Sequence, residues 1–494
     1  MLTKASLVTR THRPQTTESQ TYRIGFLSMA FTTTVSRARN AAISMVACIF
    51  FGCVAFLSLI PSTINAQGGF GGGFGQAVGG ISIDAHGIVG NLDPHAREEL
   101  SRARKELLKG TSAEGFAASK LRKISLSGLV TAVQKATLQG EPLSADVLFL
   151  SGLTGIRYLF LDSENKDIVL VGPAEAIAVN PLGDMVGATS GKPLLQLEDL
   201  IVSLRAIDGA RNGGMRCSID PSADGIKRLN TFLRKQKTIG PSPDATLRAI
   251  ETTLGPQSVS VGGVPKNSHF ARVLVAADYR MKRIAMGFEP SGVKGLPSYL
   301  SMVPPGGSGV GGLMPRFWLE ARYEPIGRDA DELAWEITGR HVECLTENDM
   351  IDSQGKRKGR AEANSIAKKW CLSMTTHYEE LAQREAIFGE LLNCIDLAVV
   401  AAVVRGRELD RQVGLDLGPL LDEQKLLMPV YDAPSTVPTI ASAIKKSNQW
   451  VISASGGVQF QPWEFATNSQ KNDDAAKGMS AALASRTDRS WWWD

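Results

Sequence analysis

The chain has 494 residues, 43% of them hydrophobic, which is enough to bury a large core and long enough for two domains. Its formal charge is +4, but residues 1–66 hold Lys4, Arg10, Arg13, Arg23, Arg37 and Arg39 against Glu18 alone, and taking away that excess of five leaves −1 for the rest. A body so close to neutral lacks the electrostatic footprint of a nucleic-acid binder; the basic balance belongs to the leader.

The leader reads as an export signal. Arg37 and Arg39 precede an apolar run from Ala41 to Ile60, and Pro61 and the small-residue exit Asn65-Ala66 follow it. Those are the parts of a secretory signal, with the cut expected between Ala66 and Gln67. The expected destination is the periplasm or cell envelope. The run is also long enough to stay in a bilayer as an uncleaved anchor over residues 41–60, which would be the chain's one membrane contact. Cys53 follows Gly52 as a lipidated cysteine would, but bulky Phe50 and Phe51 precede it and the apolar run continues past it. Beyond the leader, Cys217, Cys344, Cys371 and Cys394 allow three pairings in an oxidising compartment. Cys344 with Cys371 is one candidate, and Cys394 sits in an apolar stretch that suits a core residue.

Residues 67–80, QGGFGGGFGQAVGG, read as a flexible glycine-rich linker. The alternation of Ile81 to Val89 predicts a strand, and Asp93-Pro94 opens a charged helix ending near Lys109. Helical spacing returns from Ser125 to Leu138, with Leu126, Leu129, Val130 and Val133 on one face. Ile156–Leu161 and Ile168–Val171 flank the polar turn DSENKD as a hairpin does. Helices are expected over 197–211 and 220–237, which completes a first α+β domain, 81–254. A second, 255–465, starts with the strand-like SVSVGGV and a long helix over 267–289. In that helix Phe270, Val273, Leu274, Ala277, Met281, Ile284, Ala285 and Phe288 step by three and four, opposite Arg272, Asp278, Tyr279, Arg280, Lys282 and Arg283. A mobile loop is expected at PPGGSGVGG (304–312), and a hairpin of RFWLEARY with LAWEITGRHVECL around GRDADE. The basic run Lys356, Arg357, Lys358 and Arg360 reads as a loop. Glu390 and Asp396 interrupt the apolar run from Ile387 to Val404, which marks a buried helix rather than a membrane span. Residues 466–494 read as a disordered tail ending in Trp491, Trp492 and Trp493, which are candidate partner contacts. The expected fold class is α+β: two mixed domains with antiparallel hairpins packed by helices.

Three stretches resemble an uncharacterised family of exported planctomycete-type bacterial proteins, a domain of unknown function. They are GIRYLFLDSENKDIVLVGPAE (155–175) with GKPLLQLEDLIVSLRA (191–206), VSVGGVPKNSHFARVLVAADYRMKRIAMGFE (259–289), and SGGVQFQPWEF (455–465). The resemblance implies export and a shared fold, and brings no activity, cofactor or catalytic residues.

Chemistry-bearing motifs are sparse. GATSGKP (187–193) falls one residue short of a phosphate loop and has Pro193 where magnesium needs a hydroxyl. His86, His95, His269, His341 and His377 are scattered. A strand through His341 would put His341 and Glu343 on one face and Cys344 on the other, so no metal and no cofactor is expected. The constellation that stands out is His269, Asp278, Tyr279, Arg280 and Lys282 with Glu289, a binding site or a structural ion-pair cluster. Asp278 four residues before Lys282 suits an ion pair better than a general acid. The sequence therefore points to an exported envelope protein acting as a structural or interaction component, with another envelope protein or a second copy as partner and no nucleic acid. The alternatives are a secreted hydrolase using Asp278, Glu289 or Glu320, and a solute-binding protein hinged near Gly255 or 306–312.

Overall fold

The computed structural model describes residues 77–109, 117–235, 243–304, 313–351, 357–361, 365–443, 450–451, 454–472, 474, 477 and 491–493. The leader, the Ala66–Gln67 cut, Cys53, most of the glycine-rich linker, residues 305–312 of the expected loop and Lys356 lie outside the described residues.

Two seven-stranded sheets carry an α+β fold. The first runs in the order Arg357–Ala361, His341–Ile351, Leu313–Arg322, Ser455–Phe460, Met215–Pro221, Gln257–Gly262, Thr436–Val437. The second runs Ser469–Lys471, Ile326–Arg328, Ala334–Glu336, Tyr158–Asp162, Asp167–Ala174, Ser119–Ser125, Trp492–Trp493. The helix His269–Ala285 packs on the first sheet and against the helix Ala386–Gly406, which in turn covers Leu197–Ala206. The long apolar helix is the centre of the core: it is apolar enough to cross a membrane, but every residue from Ala386 to Val404 is buried in the fold.

Local signals explain the elements that match expectation. Asp93 accepts from the amides of His95 and Ala96 to start the helix Pro94–Leu107, and Ser125 accepts from Gly128 N to start Leu126–Gln139. The hairpin of Tyr158–Asp162 with Asp167–Ala174 forms as expected, buried on both faces.

Several expectations are corrected by long-range pairing. The boundary at 254/255 runs through the first sheet, because Met215–Pro221 pairs along its whole length with Gln257–Gly262. In the second sheet, Ala334–Glu336 pairs with Tyr158–Asp162. Strands from both halves complete one another's sheets, so the described residues form one compact unit, and Gly255 is a helix-to-strand turn rather than a hinge. The expected hairpin around GRDADE is split. Leu313–Arg322 pairs with His341–Ile351 in the first sheet, while Ile326–Arg328 and Ala334–Glu336 make a short hairpin in the second, drawn there by the burial of Trp335. The strand expected over 81–89 is two strands, Ile81–Ile83 and Val89–Asn91, and Ala77–Val78 of the linker pairs with the first. Gly79 and Gly80, at φ +53° and +76°, form the two-residue turn that makes this pairing possible. Arg357–Ala361, expected as a loop, is an edge strand.

The tail is partly structured. Ser469–Lys471 and Trp492–Trp493 close opposite edges of the second sheet. Trp491 and Trp492, expected as contacts for a partner, are half-buried on their own chain. Trp491 O accepts from Ser125 N at 2.7 Å, and the Arg122 guanidinium lies 4.7 Å from the Trp492 ring centroid. Trp493 pairs through its backbone with Lys123, so these residues cover a sheet edge that would otherwise invite other chains.

Candidate functional site

The helix His269–Ala285 carries five of the six residues singled out from the sequence, and Glu289 follows it. Ser268 caps the helix by accepting from Ala271 N. The side expected to face solvent is closed as well: Arg272 and Asp278 are fully buried, and only Arg280 and Arg283 are half-exposed. At about 1.5 Å rise per residue, His269 and Lys282 stand roughly 20 Å apart along the axis, so the six residues cannot form one site. They form three networks.

At the start of the helix, His269 Nδ1 lies 3.0 Å from Asp199 Oδ2, both buried, and Nε2 lies 3.3 Å from the Gln196 amide. Next to Asp199, Glu198 accepts a 2.8 Å hydrogen bond from the Tyr431 hydroxyl. Glu390, from the apolar helix, faces the same pocket of charge, and its Oε2 is buried without a hydrogen-bond partner among the described residues. Burial opposes a charge on His269, but Asp199, Glu198 and Glu390 outweigh it and raise its pKa to about 9. Burial, with Asp184 nearby, raises Glu390 to about 8 against the pull of His269 and Arg104. The result is a protonated histidine paired with a carboxylate beside a carboxyl that keeps its proton at neutral pH.

In the middle, Lys282 Nζ donates to Asp278 Oδ2 at 2.9 Å, to Ile219 O at 2.8 Å and to Gly456 O at 3.3 Å. All three ammonium protons are thereby used in tying the helix to two neighbouring strands of the first sheet. Burial raises the Asp278 pKa to about 6, and Lys282 limits the rise. Gly456 also lets the next strand come close: at φ +133°, a Cβ there would sit 1.6 Å from Phe317 O in Leu313–Arg322. The SGGVQFQ segment thus owes its glycines to close strand packing.

At the far end, Arg280 grips Glu385 with both arms, Nε at 3.1 Å and Nη2 at 2.7 Å, and also contacts Glu289. Arg283 Nε donates to Glu289 Oε1 at 2.6 Å and its Nη1 to the Tyr279 hydroxyl at 3.3 Å; Asn91 joins through Glu289. These bonds fasten the helix to the chain before the apolar helix and to the N-terminal hairpin.

The other candidates resolve in the same way. His341 and Glu343 share a face with Nε2 3.7 Å from Oε1, while Cys344 points into the core, and no metal-binding group of His, Cys, Asp and Glu occurs among the described residues. In GATSGKP, the amides of Thr189 and Ser190 both donate at 2.8 Å to Glu175 Oε2, so this loop cradles a carboxylate of its own chain. Asp278, Glu289 and Glu320 do not converge: Asp278 is under the first sheet, Glu289 at the end of the helix, and Glu320 on the opposite face of the sheet beside Arg322.

Sequence reasoning missed Asp199, Glu198, Glu390 and Tyr431 as partners of His269, and Arg340 and Tyr323 as partners of the buried Asp396. The signal present was the pair of carboxylates interrupting an apolar run, since a charge kept inside a core needs a counter-charge. No curated protein and no solved structure matches the chain. A family model described as "Protein of unknown function (DUF1598)" matches residues 217–299, so this domain of unknown function is found from the strand that Lys282 grips to the first residue of the short helix Tyr299–Met302.

Proposed function

We propose that the protein is an exported component of the cell envelope that works as a structural or interaction element rather than by catalysis. The leader of basic residues, apolar run and Asn65-Ala66 exit supports the destination. The observation that carries the role is the Asp278–Lys282 pair. The chain's most conspicuous acid and base are buried, bonded to each other and to two strands, and committed to holding a helix in place. Native mass spectrometry of the protein drawn gently from its envelope fraction tests this reading. The expected spectrum shows a mature mass beginning at Gln67, in stable association with a partner or a second copy. A solitary chain overturns it, and an unprocessed mass in association with a partner replaces the cleaved signal by the anchor over residues 41–60.

Export carries a chemical consequence. Cys344 Sγ and Cys371 Sγ are 3.4 Å apart, both buried and both free thiols. In an oxidising compartment they are expected to close a disulfide, whose 27-residue separation is worth about 3 kcal/mol of stability. Burial raises the Cys344 thiol well above its usual pKa, so closure belongs to folding rather than to later exposure. Peptide mapping of envelope-derived protein without reductant should find the Cys344–Cys371 cross-link, and recovery of both as free thiols contradicts export to an oxidising space.

A further inference from the structure

The face of the first sheet turned away from the helix His269–Ala285 carries a second kind of surface. Register places Arg216, Gln459, Glu320 and Glu343 side by side on four adjacent strands. One step along the same face, Ser218 and Gly457 leave the sheet nearly bare beside Trp318. At the strand ends, the Gly213-Gly214 turn, Gln461 and Phe465 wall off a depression of about 260 Å³, close to the lower bound of about 300 Å³ for small-molecule sites.

The chemistry of this depression is balanced. Arg322 Nη1 lies 2.5 Å from Glu320 Oε1 and its Nε 3.0 Å from Glu343 Oε2, so one guanidinium is held between two carboxylates. Arg216 and Arg322 against Glu320 and Glu464 leave the lining without net charge. An ionic ligand would find no excess of opposite charge here, and an acyl chain would strip water from too many polar groups. What remains are guanidinium and amide donors interleaved with carboxylate and amide acceptors. Gln459 Nε2 reaches Glu320 Oε2 at 3.4 Å. Gln461 Nε2 donates to Arg211 O at 3.1 Å, and this fixes its Oε1, a buried acceptor that receives no hydrogen bond among the described residues. A hydroxyl group donates and accepts at once and matches such a set. Phe465 offers an apolar wall for the C–H face of a sugar ring.

We propose that this depression binds a neutral saccharide chain, one sugar in the depression and the next over Ser218 and Gly457 toward Trp318. The buried Trp318 indole N–H, which has no acceptor among the described residues, is a donor on that path. The inference deepens the envelope reading by naming the chemistry of a partner, and rests on that reading only for where the glycan is met.

Saturation-transfer NMR and titration calorimetry of the purified chain with cellotetraose, maltotetraose and tetra-N-acetylchitotetraose test it, with inorganic phosphate as an ionic control. At least one tetrasaccharide is expected to bind saturably and phosphate not at all. Gln459→Ala and Gln461→Ala are each expected to weaken that binding about tenfold, the loss of one hydrogen bond or slightly more. Gln459 is exposed, so its variant keeps the test meaningful should Gln461→Ala fail to fold. Absence of binding by all three sugars, or binding unchanged in Gln459→Ala, overturns the site. Failure of sugar binding with envelope assembly intact removes the site alone, whereas sugar binding by a chain that is solitary in the envelope fraction removes the envelope reading alone.

Discussion

Asp278→Ala is expected to destabilise the protein by about 3–5 kcal/mol, because it leaves the Lys282 ammonium buried against two carbonyls with no counter-charge. Lys282→Met should behave differently. Asp278 already has its pKa raised to about 6 by burial, and without Lys282 it can escape its isolation by keeping a proton. Its cost is therefore expected to be small near pH 5 and to grow toward pH 8, whereas the cost of Asp278→Ala should fall by about 1.4 kcal/mol over that range, because the parent itself loses stability as the raised Asp278 carboxyl gives up its proton and the variant has no such group. Urea unfolding of both variants at the two pH values reads this asymmetry. Equal costs at both pH values in both variants would show that the pair is not buried as described.

The second large effect is a loss of stability on going from pH 6.5 to pH 9. His269 titrates at about 9 in the folded protein against 6.5 as its ordinary value, so the folded state holds the proton more tightly, and the stability it contributes is lost as pH rises through 9. Glu390 titrates at about 8 against 4.5, so it too is protonated when folded and ionised when unfolded, and its contribution falls as pH rises to 8. Both groups act in the same direction over this window. At about 1.4 kcal/mol per pKa unit, the expected loss is on the order of 3–5 kcal/mol. Asp199, Glu198, Asp184 and Arg104 are the charges that set it. Glu390→Gln keeps the shape and removes one of the two protons, so its stability should fall less steeply between pH 6.5 and 8. Urea midpoints at half-unit steps of pH measure the slope, and stability that is flat or rising across the window refutes the assignment.

The organising helix was legible because its apolar spacing and its Ser268 cap are both local. The burial of its other side was not, since Arg272, Asp278 and Lys282 are covered by segments distant in sequence: Arg272 reaches Asp432, and Lys282 reaches Gly456. Glu390 and Asp396 showed that the helix they interrupt belongs in a protein core, but the groups around them come from unrelated stretches: Arg340 pairs with Asp396, and His269, itself paired with Asp199, lies near the protonated Glu390. Period-two alternation likewise marked the strands between Arg316 and Leu345 without saying which sheet each would join. Alternation sets the face a side chain takes and leaves the partner strand open. The division into two domains failed for that reason. The terminal tryptophans were read as exposed because nothing near them in sequence could cover them, and the strand that does, Ser119–Ser125, lies more than three hundred and fifty residues away.

The central claim is that the buried Asp278–Lys282 pair serves the packing of the 269–285 helix and is not part of a working site. The most direct measurement is the stability and native mass of the double variant Asp278→Leu/Lys282→Met, in which the buried pair is replaced by apolar side chains of similar size. The account predicts unfolding free energy within about 1–2 kcal/mol of the parent, far less than the cost of Asp278→Ala, with the envelope association retained. A double variant that is as stable as the parent but has lost its association would contradict the account and make the pair part of a working site.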